Sequence, residues 1–147
     1  LDFALIVYPK SESLFGKTRN HISELKSLIK RLCGTFSVKV ECENDLENSA
    51  VQAAESSFAK IGIVTTESTA EYMCRIKISL NSKILPAGYF YTPSVTVKIS
   101  NGDRIIFSSS EQLKKTGAKN GQIAEQRAYS AIAECVSDLL NREFMSF

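Results

Sequence analysis

The spacing of hydrophobic residues divides the first third of the chain into a strand, a helix and a second strand. Residues 3–8 (FALIVY) form a short apolar run that ends before Pro9, which predicts a buried strand. After a polar loop, Asn20 is a candidate N-cap and Gly34 a candidate stop for a helix. The apolar positions of this helix recur at helical spacing, at Ile22, Leu25, Leu28, Ile29 and Leu32. Residues 36–42 then alternate between apolar and polar, as a strand with one buried face does.

The middle of the chain predicts a helix followed by two strands. The polar cluster at residues 43–45 turns the chain and caps a helix over residues 46–60, which ends at Gly62. The positions expected to face inward are Leu46, Ala50, Val51, Ala54 and Phe58. A brief strand at residues 63–65 precedes a longer one at residues 72–80, where apolar residues again occupy alternate positions.

The last third predicts a hairpin and a long helix. Residues 81–88 are expected to form a loop, followed by a strand over residues 89–100. Asn101-Gly102 is typical of a two-residue type I′ turn, so residues 104–109 are expected to pair antiparallel with the strand before them. A helix over residues 122–142 carries apolar residues along one face, including Ile123 and Cys135. Together these elements predict an α+β fold, a two-layer sandwich with helices packed on one face of an antiparallel sheet.

A weak internal similarity indicates a partial tandem repeat. The segment that begins SESL at residue 11 recurs as SEQL from residue 110, and a Lys-Thr pair and a helix follow in both copies. The separation drifts from 99 to 101 residues, so small insertions are required. On this interpretation residues 1–34 are the closing strand and helix of a preceding or intertwined module, and residues 35–147 are a complete sandwich module. Since the chain starts with Leu1 in strand-like sequence, we expect it to derive from a longer protein.

Composition and charge narrow the classes of function. The 147 residues are 44% hydrophobic and 23% charged, as in an ordinary globular domain. The net charge of +2 indicates no nucleic-acid partner, although basic residues are densest between Lys10 and Arg31. No apolar run approaches the length of a membrane-spanning helix, so membrane contact is expected only through an anchor outside this sequence.

The residues that usually carry enzymatic chemistry are few. Four cysteines, Cys33, Cys42, Cys74 and Cys135, contain no CxxC pair, and one histidine, His21, cannot complete a Cys/His zinc set. Small buried apolar side chains are the favoured interpretation of the cysteines, with a disulfide as the alternative. The serines lack a GxSxG motif, so no serine nucleophile is expected. No metal site and no cofactor are expected either.

One segment partly matches a phosphate-binding loop. Residues 11–18 (SESLFGKT) resemble GxxxxGK[ST] except that Ser11 replaces the first glycine. No later strand ends in an Asp placed to hold magnesium. A solvated loop between strand and helix is therefore favoured over nucleotide binding.

Three consecutive aromatic residues, Tyr89, Phe90 and Tyr91, are the candidate binding residues. Because side chains alternate across a strand, at least one ring must face away from its neighbours. An exposed ring could anchor a protein partner or stack on a sugar. Burial under a helix or a neighbouring module is the alternative.

The order of turns and small residues resembles lipoprotein modules of the bacterial envelope. The resemblance rests on Ile61-Gly62-Ile63-Val64, Ala70-Glu71-Tyr72, Gly88-Tyr89-Phe90-Tyr91, Asn101-Gly102 before Ile105-Ile106, Thr116-Gly117-Ala118 and an Ala-rich helix with Ala124, Ala128, Ala131 and Ala133. Similar modules occur in curli-secretion and flagellar-ring accessory proteins, in TolB amino-terminal domains and in lipoprotein activators of penicillin-binding proteins. The motifs are structural, so they imply a fold and a compartment and no catalytic residues.

The resemblance implies a non-enzymatic interaction or assembly module of the periplasm or outer membrane. Its expected partners are envelope proteins, or further copies of itself, at the sheet edge and loops. The alternatives are a module that binds cell-wall glycan or a small ligand, and, less favoured, a nucleotide-dependent enzyme that uses Lys17.

Overall fold

A computed structural model describes residues 12–144, which form three helices and six strands. The elements in chain order are α1 (Glu12–Cys33), β1 (Ser37–Glu43), α2 (Ser49–Ile61), β2 (Val64–Thr65), β3 (Tyr72–Leu85), β4 (Gly88–Asn101), β5 (Arg104–Gln112), β6 (Thr116–Ala118) and α3 (Gly121–Phe144). The strand expected at residues 3–8 lies outside the described residues.

The strands form one mixed sheet. Its order is β2-β1-β3-β4-β5, and β6 pairs with the beginning of β4. β1 is parallel to both β2 and β3, whereas the pairings of β4 with β3, β5 and β6 are antiparallel. The prediction of an antiparallel sheet is therefore wrong for β1. The chain returns through α2 before it re-enters the sheet, and such a crossover permits parallel strands. Alternation of side chains reports which face is buried and contains no information on strand direction.

Helices α2 and α3 cover one face of this sheet and enclose the core, so the predicted two layers are present in the body of the molecule. On the sheet side, Cys74, Ile76 and Ile78 of β3 lie beside Val95, Val97 and Ile99 of β4. The helices contribute Ala50, Ala54, Phe58, Ala128, Tyr129, Ile132, Val136, Leu139 and Leu140, all buried. A hydrogen bond of 3.1 Å between the hydroxyls of Ser57 and Ser137 links the two helices. The outer face is polar and carries ion pairs such as Lys77 with Glu43 (3.4 Å).

Strands β3 and β4 form a longer hairpin than the sequence predicts. Residues 81–85 continue β3, and only Pro86 and Ala87 separate Leu85 from Gly88, so the loop expected over residues 81–88 is wrong. Residues 85–88 form the turn of this hairpin. Proline is favoured at the second position of such a turn because its φ is preset, and glycine is favoured at the fourth position. Gly88 has φ of 137°, and a Cβ there would collide with the Ala118 carbonyl.

The next hairpin turns one residue later than expected. Asn101 pairs with Arg104, so Gly102 and Asp103 form the two-residue loop. Gly102 has a φ of 55°, whereas the φ of Asp103 is not positive. A positive φ only at the first central position fits a type II′ turn, which favours glycine there. The Asn-Gly pair thus located the hairpin and gave the wrong turn type.

Helix α2 begins at Ser49 and depends on the Asp45 carboxylate for its N-terminal cap. Asp45 accepts hydrogen bonds from the backbone N–H groups of Ser49, Ala50 and Val51 at 2.9–3.2 Å. The predicted capping by this polar cluster is confirmed, but the helix starts three residues later than expected. Leu46, expected to face inward, is 78% exposed because it precedes the helix.

Helix α1 lies outside the two layers. It begins at Glu12, eight residues before the predicted cap at Asn20, and it ends before Gly34 as expected. Its apolar residues Ile22, Leu25, Leu28 and Leu32 remain exposed, and α1 makes no extensive contact with another described element. The tandem repeat is not confirmed, because residues 12–24 are helical whereas residues 110–118 are mostly strand.

Removal of the α2 cap should destabilise the body measurably. We expect Asp45→Ala to lower the free energy of unfolding by about 1–2 kcal/mol, because three N–H groups lose a charged acceptor. Urea unfolding followed by circular dichroism measures this change. Asp103→Ala, in an exposed turn, is the matched control and should stay within about 0.5 kcal/mol. Equal effects of the two variants would contradict the assigned cap.

Candidate functional site

The aromatic candidates Tyr89, Phe90 and Tyr91 begin β4 and pair with β6. Tyr89 lies opposite Ala118, Phe90 opposite Gly117 and Tyr91 opposite Thr116. Because side chains alternate along a strand, Tyr89 and Tyr91 share the inner face with Val95, whereas Phe90 lies on the outer face. The three rings therefore do not form a single platform.

Phe90 is contacted by two residues of its own chain. The Lys115 ammonium lies 4.2 Å from the centroid of its ring, which is cation–π distance. Gly117 lies so close that a Cβ there would collide with the ring. Phe90 is consequently half-buried.

The inner-face ring of Tyr89 lies at the beginning of α3. A Cβ on Gly121 would lie 3.2 Å from its Cδ1 atom, and the ring remains 39% exposed. Asn120 caps this helix by accepting a hydrogen bond of 2.8 Å from the Gln122 N–H. Tyr91 is half-buried. These positions leave part of each ring accessible.

A separate apolar pocket lies at the other end of β4. It has a volume of about 280 Å³, and its walls come from the end of α1, strands β1, β3, β4 and β5, and helix α2. Its lining residues are Cys33, Phe36, Val38, Phe58, Ile63, Tyr72, Ile99 and Ile106. Phe36 and Tyr72 meet edge to face with centroids 5.7 Å apart. This pocket has no local signal in the sequence because its residues are distant in the chain.

Strand β5 forms an open edge of the described sheet. It pairs with β4 on one side, and none of the described strands pairs with its other side. Ile105 and Ile106 at its beginning are 60% and 52% exposed. The register shifts between Ile99 and Ser100 of β4, which makes Ile106 the extra residue of a β-bulge. β6 continues the same edge of β4 and ends beside the aromatic segment.

The polar cluster nearest this edge joins β5 to α3. Glu111 accepts a hydrogen bond from Arg142 at 3.0 Å, and the Cys135 thiol lies 3.6 Å from the other carboxylate oxygen. Burial, followed by the charge of Glu111, raises the pKa of the Cys135 thiol to about 11. The thiol therefore stays protonated at neutral pH, so this arrangement is a structural contact and not an activated nucleophile.

The other cysteines are also free thiols. Burial raises the pKa of Cys74 to about 12, and burial with the charges of Asp45 and Glu43 does the same for Cys42. Cys74 is buried as expected, whereas Cys33, Cys42 and Cys135 are half-buried. Among the described residues, no three His, Cys, Asp or Glu side chains form a group that could hold a metal ion.

The segment that resembles a phosphate-binding loop is helical from Glu12 onward. Lys17 and Thr18 lie within α1, so the solvated loop expected there is wrong, as is the alternative of a loop that wraps phosphates with its backbone N–H groups. His21 is exposed on α1, and its Nδ1 lies 3.5 Å from the carboxylate of Glu24. In the part of the chain that the structure describes, no helix is long and apolar enough to cross a membrane.

Comparisons with known proteins identify the fold. No family model matches the chain, and no curated protein matches it in sequence. An uncharacterised lipoprotein B from Nitrosomonas europaea is similar in structure, with a TM-score of 0.52 and 12% identity over 74% of this chain and 82% of that one. A protein of the DUF330 family from Xanthomonas campestris has a TM-score of 0.51 and 13% identity over 75% of this chain and 84% of that one.

Structural neighbours with TM-scores below 0.5 include further bacterial lipoproteins. A minor lipoprotein from Acinetobacter baumannii has a TM-score of 0.48 and 11% identity over 74% of this chain and 89% of that one. The similarity to lipoprotein B from Nitrosomonas europaea confirms the expected resemblance to a lipoprotein-type module at the level of the fold.

The raised thiol pKa values predict a loss of stability in alkaline solution. Between about pH 9 and pH 12 the unfolded chain releases protons from Cys42 and Cys74 that the folded chain keeps. The free energy of unfolding should therefore be unaffected by these thiols below pH 9 and should fall as the pH rises above it.

Urea unfolding between pH 8 and about pH 10.5 measures this slope. The variant Cys42→Ala/Cys74→Ala should show a shallower decline than the wild type, with Cys33→Ala as the control. Identical slopes for the wild type and the double variant would contradict the assignment.

Proposed function

We propose that this chain is a non-enzymatic interaction module of a bacterial cell-envelope lipoprotein, exported to the periplasm or outer membrane. The observation that carries the proposal is the open edge of β5 with two exposed isoleucines at its beginning. The similarity in fold to lipoprotein B from Nitrosomonas europaea supports the compartment. The partner is an envelope protein or a further copy of the module, and an anchor, where the protein carries one, lies outside this sequence.

An unpaired strand edge presents backbone N–H and C=O groups that can pair with another chain. Residues 107–110 (FSSS) follow the bulge at Ile106 and contain neither a charged residue nor Pro, which are features that commonly block such pairing. A partner strand would gain backbone hydrogen bonds along β5 and apolar contact with Ile105 and Ile106. Since β6 continues this edge of β4, the same partner could reach Tyr89, Phe90 and Tyr91.

The division into modules belongs to the same proposal. Residues 35–147 contain the whole described sheet with α2 and α3, and they form the sandwich module. Residues 1–34 belong to a preceding or intertwined module. The finer resemblance to curli-secretion, flagellar-ring, TolB and penicillin-binding-protein-activator modules is part of this proposal, and it rests on the turn and alanine motifs.

Site-specific photocrosslinking tests the edge directly. A benzoylphenylalanine placed at Ser108 of β5 should crosslink to one discrete protein in a bacterial envelope extract. The matched control carries the same group at Ser79, which is exposed on the outer face of the central strand β3. This control should not crosslink. Ile105→Gln should lower the crosslink yield by roughly tenfold, the effect of losing an ordinary interface contact. Ile105 is 60% exposed and does not line the apolar pocket, so the variant should keep its free energy of unfolding within about 0.5 kcal/mol.

Equal crosslinking from both positions, or none from Ser108, would contradict a partner at this edge. Loss of crosslinking in Tyr89→Ala/Tyr91→Ala would extend the interface to the aromatic segment.

A second candidate function is the binding of a small apolar ligand, which the 280 Å³ pocket favours. A cell-wall glycan has less support, because the aromatic rings lie on two faces of the sheet. Titration with N-phenyl-1-naphthylamine, an apolar fluorescent probe, separates these functions. Saturable binding that Val38→Phe abolishes would support the pocket, and unchanged binding in that variant would reject it.

A further inference from the structure

Helix α1 presents an apolar stripe that the described body does not cover. Ile22, Leu25, Leu28 and Leu32 recur at intervals of three and four residues, so they lie on one side of the helix. Each is between 41% and 58% exposed. These four residues are the α1 stripe. Leaving four large aliphatic side chains in water is unfavourable, which indicates that another surface covers them.

The charges around the α1 stripe indicate the nature of that surface. Residues 12–33 contain five Lys or Arg residues and two Glu residues. By helical spacing, Arg19 and Lys26 border one side of the stripe, and Arg31 borders the other together with Glu24. An apolar stripe whose borders carry three basic residues and one acidic residue complements a surface that is apolar inside and anionic outside.

The length and polarity of α1 together exclude a membrane-spanning orientation. Its 22 residues span about 33 Å, enough to cross a bilayer, but the helix is too polar to do so. A helix that has one apolar face, a basic polar face and few apolar residues elsewhere lies in the plane of the bilayer interface.

We propose that α1 binds the surface of an anionic phospholipid bilayer, with the α1 stripe inserted among the acyl chains and the basic residues at the headgroups. This contact is distinct from an anchor elsewhere in the protein. It does not rest on the partner proposed for β5.

A second copy of the chain fits the α1 stripe less well. Two α1 helices packed together would bring two sets of five basic residues close, which is electrostatically unfavourable. The remainder of the chain, residues 34–147, has 12 basic and 13 acidic residues, so the body of a second copy offers little complementary charge. Nucleic acid is bound mainly through contacts between its phosphates and basic residues, so it would leave the α1 stripe uncovered.

Vesicle flotation with the full chain tests the proposal. The vesicles contain phosphatidylglycerol and phosphatidylcholine at about 3:7, and pure phosphatidylcholine vesicles are the control. We expect the wild type to float with the anionic vesicles, to bind them less at high salt and to bind the neutral vesicles weakly.

Two variants separate the apolar and the electrostatic contributions. Leu25→Gln/Leu28→Gln removes two apolar side chains from the α1 stripe but keeps the helix propensity of α1, because Gln is also a good helix former. This variant should reduce flotation to background. Lys26→Gln/Arg31→Gln should lower the partition coefficient on anionic vesicles by roughly 30-fold. The matched control Ile105→Gln, which alters an exposed isoleucine on the body without changing the charge, should bind vesicles as the wild type does. It thereby distinguishes failure at β5 from failure at α1.

Three results would overturn the proposal. The first is equal or absent flotation of the wild type with both vesicle types. The second is wild-type flotation by Leu25→Gln/Leu28→Gln. The third is a wild-type dimer in sedimentation that this variant converts to a monomer, because a second copy would then cover the α1 stripe.

Discussion

The structure depends on the burial of one face of the sheet beneath α2 and α3. Ile76 and Ile78 on β3 and Val97 on β4 are almost inaccessible, and Ile132 and Val136 of α3 are equally buried in the same core cluster. This packing fixes the register of the two longest strands, because a shift of one residue would move every apolar side chain to the polar face. The open edge of β5, the aromatic segment and the apolar pocket are all positioned by that register.

Sequence patterns located most elements because burial and periodicity are local properties. The alternation along β3 and β4 and the apolar face of α3 correctly identified the core, with Ile123 as an exception that is 46% exposed. The direction of β1 could not be predicted, since it follows from the crossover through α2. The polar residues 81–83 suggested a loop, but exposure on both faces of a protruding hairpin explains their polarity equally well.

The candidate sites show the same division between local and non-local information. Tyr89, Phe90 and Tyr91 could be selected from the sequence because they are adjacent, yet their contacts with Lys115, Gly117 and Gly121 depend on β6 and α3. The 280 Å³ pocket combines residues from Cys33 to Ile106 and had no local signal. The α1 stripe was recognised as a helix face, but only the structure shows that it is exposed.

The division between a packed body and an exposed α1 is the central claim, and hydrogen exchange tests it most directly. An isolated helix of this length is marginal in water, whereas amides in the core exchange only on global unfolding. Amides of residues 18–33 should therefore exchange much faster than those of residues 128–140. Equal protection of both segments in the monomer would contradict the account, because α1 would then be part of the same cooperative core.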